Sequence, residues 1–183
     1  MINTLKTIAK ALNQASIEWC IGGSLVLYYS CLIENVHDID IIVAENNYEK
    51  ARAILQEHGL EYPVPESTIF ISSQFSKFKV NNTKVDLISG FKIKTSLGIY
   101  HYIFDDLAIS KTIELGDVVV PTGALEDWYV LYHLMPNRES KIAILDNHFL
   151  SHPSNTRLLK RALKQSIPKN VKEAVLKIVK KQT

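Results

Sequence analysis

The sequence predicts an α/β domain of the α+β type: a mixed β-sheet with flanking helices, followed by a helical C-terminal extension. Apolar residues make up 46% of the 183 residues and charged residues 22%, which is the balance of a folded globular domain and not of a disordered chain. Helix-like and strand-like segments alternate near the N-terminus, but two later pairs of strand-like segments are joined by tight-turn signals. Because hairpins interrupt the alternation, a doubly wound parallel sheet is not expected.

Five elements are predicted in the N-terminal third of the chain. Apolar residues recur at helical spacing in three segments, and two short runs are apolar or β-branched, as in buried strands. Ser24 is a natural N-cap for the second helix, and Gly59 is suited to end the third. The elements are helices over residues 2–15, 25–31 and 48–58 and strands over residues 17–21 and 37–43.

The remainder of the chain is predicted to contain strands first and helices afterwards. Asn81-Asn82 and Gly116-Asp117 are turn signals between strand-like runs. Pro136 ends one helix, and Pro168 interrupts another. The predicted strands cover residues 68–71, 77–80, 84–88, 112–115 and 118–120, and the predicted helices cover residues 124–135, 138–149 and 155–181.

Charge is distributed unevenly, which supports a division into a domain at residues 1–135 and a basic extension at residues 136–183. Residues 1–156 carry 12 Lys and Arg against 18 Asp and Glu, whereas residues 157–183 carry nine Lys and Arg against Glu173. A basic segment beside an acidic body predicts an RNA or protein partner. The alternative, a solvated helix face, is favoured because no aromatic residues interleave with the basic ones.

The N-terminal segment has no apolar signal core, so a cytoplasmic location is expected. Cys20 and Cys31 lie in apolar surroundings, and we expect both to be buried free thiols in a reducing compartment. The longest uncharged stretch, Trp19 to Ile33, is 15 residues, too short for a membrane span. No membrane partner is therefore expected.

Gly22-Gly23-Ser24 joins a predicted strand to a predicted helix. Glycines allow a ligand to approach the backbone closely, and the free N–H groups of a helix start favour an anion. Ser24 adds a hydroxyl donor. The segment has the outline of a phosphate site, although such a turn alone is most often only a turn.

Three carboxylates are candidates for a metal site. Asp38 and Asp40 are two positions apart on a predicted strand, so both face the same side. Asp86 lies in the middle of another predicted strand, where a lone carboxylate is unexpected. If the two strands are neighbours, the three carboxylates converge beside the glycine turn. Mg²⁺ suits such carboxylates together with phosphate oxygens, and two metals can hold both oxygens of an in-line displacement.

The segment from Ile21 to Leu25, followed by Asp38-Ile39-Asp40, resembles the nucleotidyltransferase superfamily in its minimal single-domain form, with the polymerase-β-like fold. Asp86 looks like the third carboxylate of that family, and Pro121 to Asp127 resembles the Pro-x-x-x-Leu-Glu-Asp helix of small bacterial relatives. The resemblance covers roughly residues 1–135. Many relatives carry a basic residue late in that helix, where this chain has Tyr132.

The resemblance implies a Mg²⁺-dependent nucleotidyltransferase that moves NMP from an NTP to a hydroxyl acceptor, which is a small molecule, an RNA or a protein. It implies that Asp38 and Asp40 bind the metal ions and that Asp86 helps bind the second ion and acts as base. Nucleotide phosphates would contact Gly22, Gly23, Ser24 and Lys84. For Lys84, the alternative interpretation is an ordinary solvated lysine on a strand. Two other readings stay open: an inactive, antitoxin-like or regulatory binding protein of this fold, and a three-carboxylate metal-dependent hydrolase.

Overall fold

A computed structural model describes residues 1–182, which form a central sheet, a small second sheet and seven α-helices within that range. The strands are β1 (Trp19–Ile21), β2 (Asp38–Val43), β3 (Leu60–Tyr62), β4 (Gln74–Val80), β5 (Thr83–Ser89), β6 (Lys92–Thr95), β7 (Gly98–His101), β8 (Ile109–Leu115) and β9 (Val118–Gly123). The helices are α1 (Ile2–Gln14), α2 (Gly23–Tyr28), α3 (Tyr48–His58), α4 (Leu125–Leu134), α5 (Glu139–Ser151), α6 (Thr156–Ala162) and α7 (Lys169–Lys181).

The central sheet is mixed, with the strand order β3-β4-β5-β2-β1-β9-β8. β2 is parallel to β5, and β1 is parallel to β9, whereas the other adjacent pairs are antiparallel. The turn between β4 and β5 has Asn81 and Asn82 at φ values of 46° and 62°, the left-handed backbone that a tight hairpin turn requires. The predicted mixed sheet and both predicted hairpins are confirmed.

Alternation along the strands creates a core on each face of the sheet. In β2, Ile39 and Ile41 pack with α1 and α3 on one face, whereas Ile42 packs with α4 on the other. Asp38 and Asp40 have the same parity as Ile42. Their side chains therefore face the side of the sheet that α4 covers.

Helices α5, α6 and α7, which belong to the predicted extension, share the core of α4. An apolar stripe of α7 is buried, and it consists of Val171, Val175, Ile178 and Val179. The lysines of α7 lie on its exposed side, as expected for a solvated helix face. None of the helices within residues 1–182 combines the length and the apolar character that a membrane crossing requires.

Three details of the predicted elements are wrong. Residues 68–71 form no strand, and only Phe70 makes an isolated bridge, to Ile93. Gly22, not Ser24, is the N-cap of α2, because the helix already begins at Gly23. Cys20 is buried as expected, but Cys31 is exposed, since it lies beyond the end of α2 in left-handed backbone (φ 58°).

The small hairpin β6–β7 and the edge strand β3 were not predicted. In the hairpin, polar and glycine residues surround the two buried side chains, Ile93 and Tyr100, so the apolar alternation is too short to stand out. None of the three side chains of β3 is fully buried. β3 is positioned by its pairing with β4, and β6 pairs with β7 across a short turn, so these strands depend on pairing more than on their own hydrophobic pattern.

Candidate active site

The parallel pairing of β2 and β5 brings the three predicted carboxylates together. The register sets Asp40 opposite Asp86 and Asp38 opposite Lys84. All three carboxylates line one cavity, which is about 380 Å³ in volume. β2 and β5 are neighbours, as the predicted convergence requires, and both strands contribute carboxylates.

The two glycines of Gly22-Gly23-Ser24 are needed for different reasons. The N–H of Gly22 donates to the carbonyl oxygen of Asp40 at 2.8 Å, and a Cβ at Gly22 would overlap the indole of Trp128. Gly23 has φ +56°, and a Cβ there would overlap Oδ2 of Asp40. Only glycine allows this close approach in left-handed backbone. The turn is therefore held directly against the carboxylate cluster, and Ser24 lines the same cavity.

The positive charge near the carboxylate cluster is too small to offset the burial and mutual repulsion of its carboxylates. Burial, followed by the negative charges of Asp38 and Asp86, raises the pKa of Asp40 to about 7. Burial also raises the pKa of Asp86, although Lys77 opposes that effect. Carboxyl groups that resist ionisation in this way indicate a place where an added cation would be stabilising.

Lys77 is the cation that contacts this cluster. Its Nζ donates to Oδ2 of Asp86 at 2.6 Å, and it lies 4.9 Å from the centre of the Phe75 ring. Only 23% of the Lys77 side chain and 15% of the Asp86 side chain are exposed. Lys84, the predicted phosphate ligand, is exposed and does not line the cavity. Its role in nucleotide binding stays a prediction.

Lys141 of α5 was not singled out from the sequence. Its Nζ donates to Oγ of Ser24 at 2.5 Å and lies 5.0 Å from the centre of the Tyr132 ring. Burial and the nearby Arg138 lower the pKa of Lys141, whereas Asp40 and Asp38 oppose that shift. A positive charge thus reaches the glycine turn from α5, beside the position where many relatives carry a basic residue on the preceding helix. Ser24 and Lys141 are 117 positions apart, so no local pattern could reveal the contact.

The donor set fits a divalent cation. Carboxylates on adjacent strands are oxygen ligands of the kind that Mg²⁺ prefers, and Gly23 keeps the backbone close to Asp40 without a side chain in between. Within residues 1–182, no three acidic, histidine or cysteine side chains already have the spacing of a metal cluster. The ammonium of Lys77 instead provides the positive charge that Asp86 contacts.

The raised pKa of Asp40 predicts a pH-dependent stability difference. In the absence of Mg²⁺, wild type should lose free energy of unfolding relative to Asp40→Asn as pH rises from about 4 to above 7. The folded state holds a proton on this carboxyl that the unfolded chain releases near 3.8, so the stabilisation is present at low pH and is lost as pH passes about 7. The full difference corresponds to up to about 4 kcal/mol.

Urea unfolding of both proteins at pH 5 and pH 8 measures this difference. Comparing the two proteins at each pH cancels the contributions of titrating groups that do not interact with Asp40. Added Mg²⁺ should reduce the difference at pH 8. A stability difference between the two proteins that is the same at pH 5 and pH 8 would contradict the assigned pKa shift.

Solved structures with this architecture share the nucleotidyltransferase fold. The Thermotoga maritima protein TM1012, a proposed nucleotidyltransferase, is 20% identical with a TM-score of 0.60, over 82% of this chain and 92% of that one. ANT(2″)-Ia in complex with adenylyl-2″-tobramycin is 10% identical with a TM-score of 0.54, over 100% and 98% of the two chains. The lincosamide antibiotic adenylyltransferase LnuA, bound to lincomycin, is 15% identical with a TM-score of 0.52, over 78% and 94%.

No protein-family model matches this sequence, and a search of curated proteins gives no match. The structural likenesses extend over most of both chains. The chain therefore has the nucleotidyltransferase fold.

Proposed function

We propose that this protein transfers a nucleoside monophosphate from an NTP to a hydroxyl group of a small-molecule acceptor. One observation carries the proposal: the register of β2 and β5 gathers Asp38, Asp40 and Asp86 in a cavity beside a glycine turn. Three carboxylates next to an anion-binding backbone segment are the requirements of metal-assisted phosphoryl transfer.

In this proposal, the triphosphate binds along the Gly22-Gly23-Ser24 turn. The Ser24 hydroxyl is within reach because it lines the cavity, and the Lys141 ammonium that now contacts it would turn to a phosphate oxygen. A charged donor makes a stronger hydrogen bond to a negatively charged phosphate oxygen than to a neutral hydroxyl. Arg138 lines the same cavity and adds a second cation on that side. Lys84 is a further candidate, from the exposed start of β5.

Asp38 and Asp40 would hold Mg²⁺, with Asp86 contributing to a second ion. Bound Mg²⁺ would supply charge stabilisation for the transferred phosphoryl group and the departing pyrophosphate. Asp86 accepts the proton of the acceptor hydroxyl once Lys77 releases it. The acceptor oxygen then bonds to the α-phosphorus, the bond from that phosphorus to pyrophosphate breaks, and Lys141 offsets the charge on the leaving group.

A small-molecule acceptor is supported by two structural neighbours. ANT(2″)-Ia was solved in complex with adenylyl-2″-tobramycin and LnuA with lincomycin, so two chains of this architecture bind small molecules. An RNA or protein acceptor has no comparable support. The basic outer side of α7 is solvated and would be available to such a partner.

The proposal is tested by incubating the protein with Mg²⁺ and each α-labelled NTP in turn. The acceptors are separate pools of small alcohols, total RNA and cell extract. Label on a small molecule from one preferred NTP is the expected result, and EDTA should abolish it. Tight NTP binding without transfer to any pool would indicate a binding protein instead. Release of phosphate from simple phosphate esters, with no transfer from NTPs, would indicate a hydrolase.

The assignment of Lys141 to the triphosphate predicts a specific kinetic change. Lys141→Met should raise the KM for NTP by about 10- to 100-fold, because a charge-assisted hydrogen bond contributes about 1.5–3 kcal/mol. Lys172→Met on the exposed side of α7 is the matched control and should leave the KM unchanged. An unchanged KM in Lys141→Met would exclude this lysine from the phosphate site.

A further inference from the structure

The cavity has two chemically distinct sides. Near α2 and the start of α5, Ser24, Arg138 and Lys141 give it a polar and cationic lining, whereas α4 adds Trp128 and Tyr132. On the side of β4, β5 and the segments that flank them, the lining includes Val64, Pro65 and four further apolar side chains. We call these four residues the aromatic wall: Phe70, Phe75, Ile88 and Phe91.

The aromatic wall is continuous with the proposed base. Asp86 and Ile88 are on β5 with the same parity, and Phe75 is opposite Ile88 in the register of β4 and β5. Phe70 stacks on Phe91 with 6.4 Å between ring centres and 30° between planes. Because the proposed base accepts the proton of the acceptor, the acceptor must approach from the wall, not from the phosphate side.

The charges around the cavity also restrict the acceptor. Four carboxylates and three cationic side chains line it, so their formal charges nearly cancel. Three of the carboxylates are the proposed metal ligands, which leaves Glu66 as the additional acidic residue among the lining side chains. The cavity does not offer the surplus of carboxylates that a polycationic acceptor requires. Such an acceptor would also be repelled by the positive charge of Lys77.

We propose that the acceptor presents an apolar ring to the aromatic wall while its hydroxyl group reaches Asp86. The acceptor class is thus a small ring-bearing alcohol or phenol with little or no positive charge. This inference rests on the proposed function and narrows its substrate class. Flat apolar compounds gain both buried area and favourable ring contacts against aromatic side chains.

Phe70→Ala is the variant that tests the wall, because Phe70 is 36% exposed and its truncation leaves the core intact. Leu97→Ala is the matched control, since Leu97 is 60% exposed and does not line the cavity. The acceptors are cyclohexylmethanol, benzyl alcohol and 2-naphthylmethanol, compared with glycerol, tobramycin and RNA. Transfer of label from the preferred NTP gives KM and kcat, and calorimetry measures binding of 2-naphthylmethanol directly.

Ring alcohols should accept label with a lower KM than glycerol, and the KM should fall as the ring grows. Phe70→Ala should raise the KM for 2-naphthylmethanol about tenfold with kcat within about twofold, and Leu97→Ala should change neither. Preferred labelling of tobramycin or glycerol, or an unchanged KM in Phe70→Ala, would overturn the inference and leave the proposed function standing. Preferred labelling of RNA would overturn both.

If no acceptor is labelled, the proposed function fails and calorimetry decides the inference. Binding of 2-naphthylmethanol to wild type that weakens about tenfold in Phe70→Ala supports the aromatic wall as a ring site. Absence of binding overturns it. The two failures are distinguishable because calorimetry does not depend on turnover.

Discussion

Replacing Asp38 and Asp40 together by asparagine will abolish nucleotide transfer while the protein stays folded. The change removes two carboxylates that the proposed metal ions require, and metal-assisted charge stabilisation of several kcal/mol corresponds to a loss of more than about 1,000-fold. The fold is expected to tolerate the change, because it removes negative charge from a cluster in which Asp40 already resists ionisation. Initial rates with labelled NTP, together with circular dichroism, measure both expectations.

Two single variants sharpen this result. Asp106→Asn removes an exposed carboxylate outside the cavity and should keep wild-type activity. Asp86→Asn should lower kcat about 10²- to 10⁴-fold, the usual contribution of a general base, while NTP binding is retained. Activity that survives in the Asp38→Asn, Asp40→Asn double variant would refute the metal site.

Arg161→Met will destabilise the protein by about 3–5 kcal/mol at pH 8. Arg161 of α6 donates to Asp127 of α4 at 3.2 and 3.3 Å and to Asp105 at 2.8 and 2.9 Å. The Asp127 side chain is 3% exposed, so removal of the guanidinium leaves a buried carboxylate without its counter-charge. Equilibrium urea unfolding measures the loss.

The same network predicts how that loss depends on pH. Burial raises the pKa of Asp127 to about 7 even with Arg161 present, and removal of Arg161 raises it further. The carboxyl of the variant will therefore be protonated at pH 5, and the destabilisation should be smaller there than at pH 8.

Arg157→Met is the matched control on the same helix, since Arg157 is exposed and should be replaceable within about 0.5 kcal/mol. Adding Asp127→Asn to Arg161→Met should recover part of the lost stability at pH 8, because no buried charge then remains unpaired. Equal destabilisation by Arg157→Met and Arg161→Met would contradict the assigned role of the network.

The network also explains why the Leu-Glu-Asp segment stands out in the sequence. Glu126 accepts a hydrogen bond at 2.6 Å from the backbone N–H of Asn155, just before α6, and Asp127 contacts Arg161 within α6. Both acidic residues therefore attach the C-terminal helices to α4. The helix could be identified from its resemblance to relatives, but the partners of its carboxylates could not, because they lie about 30 positions further along the chain.

The sequence alone was sufficient to predict the mixed sheet, the two main hairpins and the convergence of the three carboxylates. These features depend on information carried within a few residues: alternation in β2, the left-handed Asn81-Asn82 turn, and Gly22-Gly23-Ser24 beside a strand. Where the local pattern was short, as in β6, β7 and β3, the prediction failed. Local steric and hydrophobic preferences determine only those elements whose pattern is long enough to outweigh tertiary context.

Tertiary structure decided the chemistry around the carboxylates. Pairing of β4 with β5 sets Lys77 against Asp86, and packing of α5 on α4 brings Lys141 to Ser24, whereas Lys84 remains outside the cavity. Electrostatic contacts act through space, so which lysine meets which acid depends on strand register and helix packing. The amino-acid sequence therefore determined which groups are available, and the fold determined which of them meet.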